Sequence, residues 1–352
     1  MHPTVSVIIP NYNHALYLKE RIESVTGQEY DDIEVILLDD CSSDNSREII
    51  ERYRSHLKVS QVIFNEKNSG TTFAQWKKGI ELSRGKYIWI AESDDYAEKD
   101  FLSTLVNLLE ENPAAVMAFS GSNMIDSLGN HIPGADWDKY GKRAGSTESY
   151  TDRELTLRKL LRNNLIYNAS MVVFRRDAAP EITERYLRMR FCGDWLFWSQ
   201  LARKGDAIEV CRKLNYFRQH PQKVSASASK AGKTYTEGTQ IVAEMADWLD
   251  LSPIQRKVIA GRICKRLRKY PGLLDTAPEL KNELTRLAGS DTLHPPLLSL
   301  IYETDKLFHF SHLPSQTRGW PSINIVSRFT TANLQTDENL PDHIHIQLPG
   351  ST

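Results

Sequence analysis

The chain has 352 residues, of which 40% are hydrophobic and 25% are charged, and its formal net charge is −1. This composition is typical of a globular protein and excludes a disordered or fibrous chain. The net charge argues against a nucleic-acid-binding protein, because neutralising many phosphates requires a surplus of basic residues.

Short apolar runs alternate with helix-like stretches in the first part of the chain. The runs rich in β-branched and aromatic residues predict strands at Val5–Ile9, Ile33–Leu38, Val59–Phe64, Tyr87–Ala91 and Val116–Phe119. The stretches between them predict helices at Leu16–Val25, Arg47–Tyr53, Phe73–Leu82 and Phe101–Leu109. This alternation predicts a mostly parallel sheet covered by helices on both faces.

The middle of the chain predicts a long loop and a second α/β portion. Residues Asp126–Tyr150 are polar and Gly-rich, and we expect a loop there that acts as a lid over a ligand. The elements predicted after it are a helix at Arg153–Arg162, a strand at Met171–Phe174, a helix at Trp195–Lys204 and a strand near Leu214–Phe217. The small, polar segment Ser225–Gly238 predicts a domain boundary or a mobile loop.

The last third of the chain is predicted to be helical and to end in an extended tail. Helical periodicity includes Ile241–Leu249 and Ile254–Arg268. From Leu313 on, the sequence is rich in Pro, Ser, Thr and Asn, with alternating patches at Ile323–Val326 and Ile344–Leu348. Such a tail predicts an arm docked on the body of the protein or on a partner, such as a second copy in a homodimer. The predicted division is into three parts: residues 1–225, 226–312 and 313–352.

The sequence predicts neither a membrane span nor a secreted protein. No apolar run reaches the roughly 18–20 residues that cross a bilayer, and no leader-like segment precedes the first predicted strand. The cysteines form no Cys-x-x-Cys pair, so we expect no zinc site and no disulfide framework; they are Cys41, Cys192, Cys211 and Cys264. A reducing cytoplasm is the expected compartment.

Candidate site residues follow the predicted strands, because ligands of α/β sheets bind at the carboxyl ends of the strands. The segments found there are Pro10-Asn11-Tyr12-Asn13, Asp39-Asp40-Cys41-Ser42-Ser43-Asp44, Asn68-Ser69-Gly70 and Glu92-Ser93-Asp94-Asp95. Adjacent carboxylates such as Asp94 and Asp95 repel each other, and a divalent cation such as Mg²⁺ or Mn²⁺ relieves that repulsion. The alternatives are a packed loop aromatic for Tyr12 and helix capping for the aspartates, and capping is the role we expect of Asp44.

In this order, the four segments resemble the motifs of family 2 glycosyltransferases, over about residues 4–225. The resemblance implies the GT-A fold, a Rossmann-like, mostly parallel sheet with helices on both faces, here followed by a C-terminal helical region and an extended tail. It also implies transfer of a sugar from a nucleoside diphosphate donor to an acceptor hydroxyl, with Mn²⁺ or Mg²⁺ as cofactor. Enzymes of this kind build bacterial surface polysaccharides such as O-antigen or capsule.

The resemblance assigns roles to individual residues. Asp95 would contact the metal, and His220 would bind the metal or the diphosphate. Glu92 stands where family members often carry Asp, and its role is left open. The residues implied to bind the donor nucleotide are Pro10, Tyr12, Asp39, Asp40, Asn68, Gly70, Asp94 and Arg218. For Arg218 a structural contact is the alternative to a diphosphate contact.

Asp194 is the candidate catalytic base. It lies in Phe191-Cys192-Gly193-Asp194-Trp195, which precedes an apolar helix and resembles the acidic motif of the family at this place. An inverting transfer needs a carboxylate that takes the proton of the acceptor hydroxyl, worth about 10²–10⁴-fold in rate. Helix capping is the alternative role for Asp194, and the two roles are compatible. Trp195 either stacks on the acceptor sugar or belongs to the core.

The mechanism implied is a single in-line displacement with inversion at the anomeric carbon. We expect the loop Ser225–Lys233 to order over the donor. Without membrane spans or a Gln-x-x-Arg-Trp motif, a single addition to a glycan or lipid-linked acceptor is favoured over processive synthesis. The competing hypotheses are a non-catalytic protein that binds sugar nucleotides or glycans on the same fold, and a nucleotidyltransferase.

The basic stretch Arg256–Lys269 has no acidic residue and carries an apolar stripe of Ile259, Ile263 and Leu267. One interpretation is an amphipathic helix lying on the anionic inner face of the cytoplasmic membrane. The other is a helix packed on the rest of the protein with a solvated basic face. The sequence leaves both open.

Overall fold

The structure, a computed structural model, describes residues 3–220 and 232–313. Most of the predicted loop at Ser225–Lys233 and almost all of the predicted tail, including its two alternating patches, lie outside these residues. The predicted boundary between residues 225 and 226 lies outside them as well and stays a prediction.

The described residues form one nine-stranded sheet with strand order β3-β2-β1-β4-β8-β6-β9-β5, and β7 pairs with β9. The strands are β1 Val5–Asn11, β2 Ile33–Asp39, β3 Val59–Phe64, β4 Tyr87–Ile90, β5 Tyr96–Ala97, β6 Ala115–Ile125, β7 Thr147–Tyr150, β8 Val172–Arg175 and β9 Asp206–Arg218. Strands β3, β2, β1 and β4 are parallel, whereas β8 is antiparallel to both of its neighbours. The predicted α/β architecture is confirmed, and antiparallel pairs extend its second half.

Within the same ranges the chain forms twelve α-helices. They are α1 Ala15–Thr26, α2 Ser46–Arg52, α3 Thr72–Leu82, α4 Phe101–Glu111, α5 Asp152–Leu155, α6 Glu184–Arg188, α7 Gly193–Leu201, α8 Lys233–Trp248, α9 Pro253–Leu267, α10 Leu273–Thr276, α11 Pro278–Ala288 and α12 Pro295–Phe308. The helix predicted at Arg153–Arg162 is shorter, because α5 passes into a π-helical turn at Thr156–Leu160.

The central strands divide the core into two layers. Every residue of β1 and β2 is buried, as the unbroken apolar runs predict. Ile8 of β1 belongs to the layer that contains Trp76 of α3, whereas its neighbours Val7 and Ile9 belong to the layer that contains Leu18 of α1. This is the two-residue alternation of a strand buried on both faces.

Helices α8 to α12 share the first of these layers. Ile241 of α8, Leu280 of α11 and Leu298 of α12 lie in the same apolar cluster as Ile8. The helical region is therefore packed against the sheet through a continuous core, and its side chains reach the functional cleft described below.

Several segments differ from the sequence-based prediction. Lys233–Gly238, the end of the segment expected to be a domain boundary or mobile loop, is the first part of α8, and the strand expected at Val116–Phe119 continues to Ile125. Thr147–Tyr150 was expected in a loop, but it is strand β7, paired antiparallel with β9. Strand β9 begins at Asp206 rather than near Leu214. This part of the strand was not predicted because charged residues interrupt its apolar run. One of them, Glu209, is buried, and its carboxylate accepts a hydrogen bond from Lys159 Nζ at 2.6 Å.

Candidate active site

A cleft of about 1150 Å³ runs along the carboxyl ends of the parallel strands and continues to helices α8 and α9. The loops after β1, β2 and β4 line it, and so does the first turn of α7. Four of the predicted donor residues, Pro10, Tyr12, Asn68 and Gly70, are in its wall. The sheet edge identified from the sequence is therefore the edge at which the cleft opens.

Asp40 also lines the cleft, and its carboxylate organises the loop after β3. It accepts hydrogen bonds from Asn65 Nδ2 at 2.7 Å, Gln75 Nε2 at 2.8 Å and Ser69 Oγ at 2.7 Å. Gly70 follows with φ +78, a backbone conformation that favours glycine, and nothing lies within 4 Å of where its Cβ would be. Asp40 thus shapes the wall of the cleft.

Asp39 lies behind the cleft rather than in its wall. It is fully buried, and its carboxylate accepts hydrogen bonds from Asn11 Nδ2 at 2.9 Å and from the backbone N–H of Ser42 at 3.0 Å. Its predicted contact with the nucleotide does not match this placement. Asp39 instead joins the loop after β1 to the loop after β2.

A cluster of two histidines and one aspartate faces the cleft after β4. His220 Nε2 lies 3.0 Å from Asp94 Oδ2, and the His14 and His220 rings meet edge to face with centroids 5.5 Å apart. One ligand atom from each of these three residues lies within 4.8 Å of the others. The sequence analysis missed His14, although it follows directly on the segment Pro10–Asn13 that lines the cleft.

Asp95 and Arg218 form a layer beneath this cluster. Asp95 is 1% exposed, and it accepts hydrogen bonds from Asn168 Nδ2 at 2.6 Å, Ser170 Oγ at 3.0 Å and the backbone N–H of Arg218 at 2.9 Å. The Arg218 guanidinium is buried between the backbone carbonyl of Asp94 and the carboxylate of Glu20. The predicted metal contact of Asp95 and donor contact of Arg218 do not match these positions.

Electrostatic repulsion among the carboxylates is visible at Glu92. Burial, and then the charge of Asp94, raise the pKa of Glu92 to about 8, although Trp76 Nε1 donates a hydrogen bond to Glu92 Oε1 at 2.9 Å. The fully buried Arg21 supplies the opposite charge and donates a hydrogen bond from Nε to the Glu92 carbonyl at 2.9 Å. Burial lowers the pKa of Arg21 to about 10.

Asp194 lies in the first turn of α7 and faces the cleft. Asn164 Nδ2 donates a hydrogen bond to Asp194 Oδ2 at 2.9 Å, and the backbone N–H of Trp195 donates one to Oδ1 at 2.7 Å. Burial raises the pKa of Asp194 to about 7, and the charge of Glu237 acts in the same direction. A carboxyl group with such a pKa accepts and releases protons near neutral pH.

The segment before Asp194 is held by the helical region. Glu237 of α8 accepts hydrogen bonds from the backbone N–H groups of Arg190, Phe191 and Cys192 at 2.9–3.0 Å. Gly193 packs so closely on Phe73 that a Cβ would lie 2.4 Å from the ring. Both contacts fix the start of α7 and with it the position of Asp194.

Trp195 shows features of both roles expected for it. Its indole N–H donates a hydrogen bond to the Leu160 carbonyl at 3.0 Å, and its ring packs against the apolar core. The side chain is nevertheless half-buried and lines the cleft beside Asp194. Part of the side chain is therefore available to a ligand.

The basic stretch Arg256–Lys269 forms most of α9, and its apolar stripe points into the protein. Ile259 and Leu267 are buried in the core, and Ile263 lines the cleft. The stripe therefore cannot lie on a membrane surface in this conformation, which favours the interpretation of a helix packed on the protein. Among the residues that the structure describes, no helix is both long and apolar enough to span a bilayer.

Comparison with known proteins identifies similar sequences. The family model described as Glycosyl transferase family 2 matches residues 6–183, just over half of the chain. Over 232 residues the chain is 29% identical to the putative teichuronic acid biosynthesis glycosyltransferase TuaG of Bacillus subtilis, covering 66% of this chain and 85% of TuaG. It is 34% identical over 218 residues to the poly(ribitol-phosphate) beta-N-acetylglucosaminyltransferase TarS of Staphylococcus aureus, covering 60% of this chain but only 35% of TarS.

Solved structures share the fold at low sequence identity. The crystal structure of S. aureus TarS 1-349 in complex with UDP-GlcNAc has a TM-score of 0.61 and 19% identity, covering 89% of this chain and 87% of that one. The mannosyltransferase PcManGT from Pyrobaculum calidifontis, in complex with GDP-Man and Mn²⁺, has a TM-score of 0.50 and 14% identity, covering 88% of each chain. These likenesses establish the fold alone.

Because Asp95 is buried beneath the cluster and Asp94 faces the cleft, we predict that replacing each by Asn has a different effect on the free energy of unfolding. Asp95→Asn turns an amide N–H toward buried donors, so we expect the free energy of unfolding to fall by about 1–3 kcal/mol. Asp94→Asn removes a repulsive charge at the cleft and should change that free energy by less than about 1 kcal/mol. Urea unfolding of both variants with chelator present measures the difference. An equal loss in the two variants, or a larger loss in Asp94→Asn, would contradict the assignment.

Proposed function

Because the chain belongs to glycosyltransferase family 2, we propose that it is an inverting, metal-dependent enzyme that adds one sugar to an acceptor hydroxyl during assembly of a surface glycan. The proposal is supported by one observation above all. A candidate metal cluster, His14–Asp94–His220, and a candidate base, Asp194, line the same cleft. These are the two groups that a single displacement at a sugar carbon requires.

The donor set suits a divalent transition metal. His14 and His220 offer imidazole nitrogens and Asp94 a carboxylate oxygen, a combination that favours Mn²⁺ over Mg²⁺. In the described structure, His220 Nδ1 is buried without a hydrogen-bond partner, so the proton of the ring is not assigned to either nitrogen by a contact at Nδ1. We therefore assign the metal to Asp94 and His220 with His14, in place of Asp95. When bound, the cation would offset the negative charge of the diphosphate leaving group.

The nucleoside of the donor is proposed to bind beside the metal cluster. Tyr12 is 48% exposed at the cleft, where its ring is available to a nucleobase. Pro10, Asn68 and Gly70 supply the adjoining wall, and Asp40 holds that wall in place through Ser69. The TarS complex contains UDP-GlcNAc, so a uridine diphosphate sugar is the donor to test first.

The proton of the acceptor hydroxyl would pass to Asp194. Asn164 and the Trp195 N–H fix the orientation of the carboxylate, and its raised pKa keeps it basic enough to take a proton near neutral pH. The acceptor oxygen would attack as the bond to the diphosphate breaks, so the configuration would invert without a covalent enzyme intermediate. Trp195 is proposed to bind the acceptor sugar through the exposed part of its side chain.

The names of the relatives support a surface glycan as the product class. TuaG is named for teichuronic acid biosynthesis and TarS for transfer to poly(ribitol-phosphate). An O-antigen-like or capsule-like product, a lipid-linked acceptor, a cytoplasmic location, a peripheral membrane contact and a homodimer all stay predictions. A protein that binds sugar nucleotides without turnover is the alternative, and the transfer assay below separates the two.

We predict that UDP raises the melting temperature with Mn²⁺ present and not with chelator, because ligand binding to the native state stabilises it. Asp94→Asn should abolish the metal-dependent shift, since it removes the charge that holds the cation. Asp177→Asn, at an exposed position away from the cleft, is the matched control and should keep the full shift. A metal-dependent shift that survives in Asp94→Asn would refute the metal assignment.

We also predict a pH dependence of transfer that originates at Asp194. Below about pH 7 the carboxyl group is protonated and cannot accept a proton, so kcat/KM should rise about tenfold per pH unit and level off above pH 7. Asp194→Asn should lower kcat by about 10²–10⁴-fold and remove this limb, while UDP and Mn²⁺ still bind. Transfer in Asp194→Asn at the wild-type rate would rule out Asp194 as the base.

A further inference from the structure

Three arginines line the same cleft as Asp194, and the proposed mechanism does not use them. Arg162 follows the π-helical turn, and Arg262 and Arg266 lie one turn apart on α9. Arg262 is 7% exposed and donates from Nη1 to the Arg162 carbonyl at 3.0 Å. Arg266 Nη2 donates to Asn163 Oδ1 at 2.7 Å. These contacts hold the side chains of Arg262 and Arg266 beside the segment that carries Arg162, which lines the same cleft.

The charge of this arginine cluster is only partly balanced by acidic residues. Elsewhere on α9, Arg256 and Lys265 form salt bridges with Asp247 and Glu303. Within residues 3–220 and 232–313, by contrast, none of the three cleft arginines forms a salt bridge. Asp305 acts on Arg162 from a longer range, without forming a salt bridge with it, and its charge therefore offsets part of the cluster's charge.

Burying like charges together is unfavourable, and the effect is evident at Arg262. Burial, and then the charges of Arg266 and Arg162, lower the pKa of Arg262 well below its ordinary value. In a region of low dielectric, several unpaired guanidinium groups repel one another strongly. Such an arrangement is stabilised when an anion binds between them, and guanidinium groups match phosphate oxygens in geometry as well as in charge.

We propose that Arg162, Arg262 and Arg266 form a binding site for a phosphate group of the acceptor substrate. Three cations match a doubly charged or diphosphate group better than a carboxylate, whose two oxygens a single guanidinium fork satisfies. The inference rests on the proposed function, because that function assigns the donor diphosphate to the metal cluster and leaves the arginines to the other substrate.

The connection to Asp194 assigns the bound phosphate to the acceptor. Residues 162–164 carry Arg162, the Asn163 side chain that accepts from Arg266, and the Asn164 side chain that donates to Asp194. A phosphate held by the cluster therefore belongs to the substrate that presents its hydroxyl to Asp194. Two sources share this chemistry, a phosphate monoester at the end of a polymer and the diphosphate of a lipid carrier. Apolar residues of the adjoining cleft, Val242, Ile259 and Ile263, suit a prenyl chain.

The test is a thermal-shift titration in chelator, so that the metal cluster binds no phosphate. The probes are sn-glycerol 3-phosphate, with glycerol as its neutral counterpart, and geranyl diphosphate, with geraniol. We expect the two phosphate probes to stabilise the wild-type protein and glycerol and geraniol to have no effect. The phosphate probes should bind about tenfold more weakly to Arg262→Gln and Arg266→Gln. Arg268→Gln, an exposed position just after α9, is the control and should bind as the wild type does. Preference for geranyl diphosphate would identify a lipid carrier, and preference for glycerol phosphate a polymer.

A separate titration with UDP and Mn²⁺ reports on folding and on the proposed function. The arginine variants should keep the nucleotide shift of the wild type, which shows that they fold; Arg262→Lys replaces Arg262→Gln if the latter does not. Phosphate probes that fail to stabilise the wild type, or that bind the arginine variants as tightly as the wild type, would overturn the phosphate site. Absence of the nucleotide shift in the wild type would instead count against the proposed function.

Discussion

The repulsion among three nearby carboxylates is the constraint on which the site depends. Glu92, Asp94 and Asp95 follow the buried strand β4, and two unit charges 4 Å apart repel by about 4 kcal/mol at an effective dielectric of 20. The protein lowers this repulsion in several ways. Arg21 is buried beside the cluster, Arg218 binds the Asp94 carbonyl, and the raised pKa of Glu92 makes that group neutral at pH 7.

The same contacts connect distant parts of the chain. Arg218, at the end of β9, reaches Glu20 of α1 and the carbonyls of Asp126 and Ser127 in the loop after β6. Asn168 and Ser170 bring the start of β8 to Asp95. Because all these contacts converge on the loop after β4, Asp94 is left facing the cleft with His220.

The base side of the cleft depends on the helical region in a similar way. Glu237 of α8 binds the backbone before Asp194, and Arg266 of α9 binds Asn163 beside Asn164. The helices after residue 232 therefore supply contacts to the cleft as well as a continuation of the core. We expect variation in these helices to change the proposed acceptor side of the cleft more than the proposed donor side.

The sequence correctly predicts at which edge of the sheet the cleft lies. It does not predict which side chains of the loops at that edge face the cleft. Apolar runs and polar turns locate the strands and therefore the loops that line the cleft, including Tyr12, Asn68 and Asp194. They do not reveal which of two adjacent aspartates faces outward, since that depends on hydrogen bonds from Asn168 and Ser170, far away in the chain. The inward direction of Arg262 depends likewise on α9 packing against α12, which no local pattern encodes.

The most direct test of the account is pulsed electron paramagnetic resonance of the protein loaded with one equivalent of Mn²⁺. We predict that the manganese couples to imidazole nitrogen. This coupling should be reduced in His220→Gln and lost in the double variant with His14→Gln. Manganese that binds tightly without nitrogen coupling, or whose coupling is unchanged in both variants, would contradict the assignment of the metal to the His14–Asp94–His220 cluster.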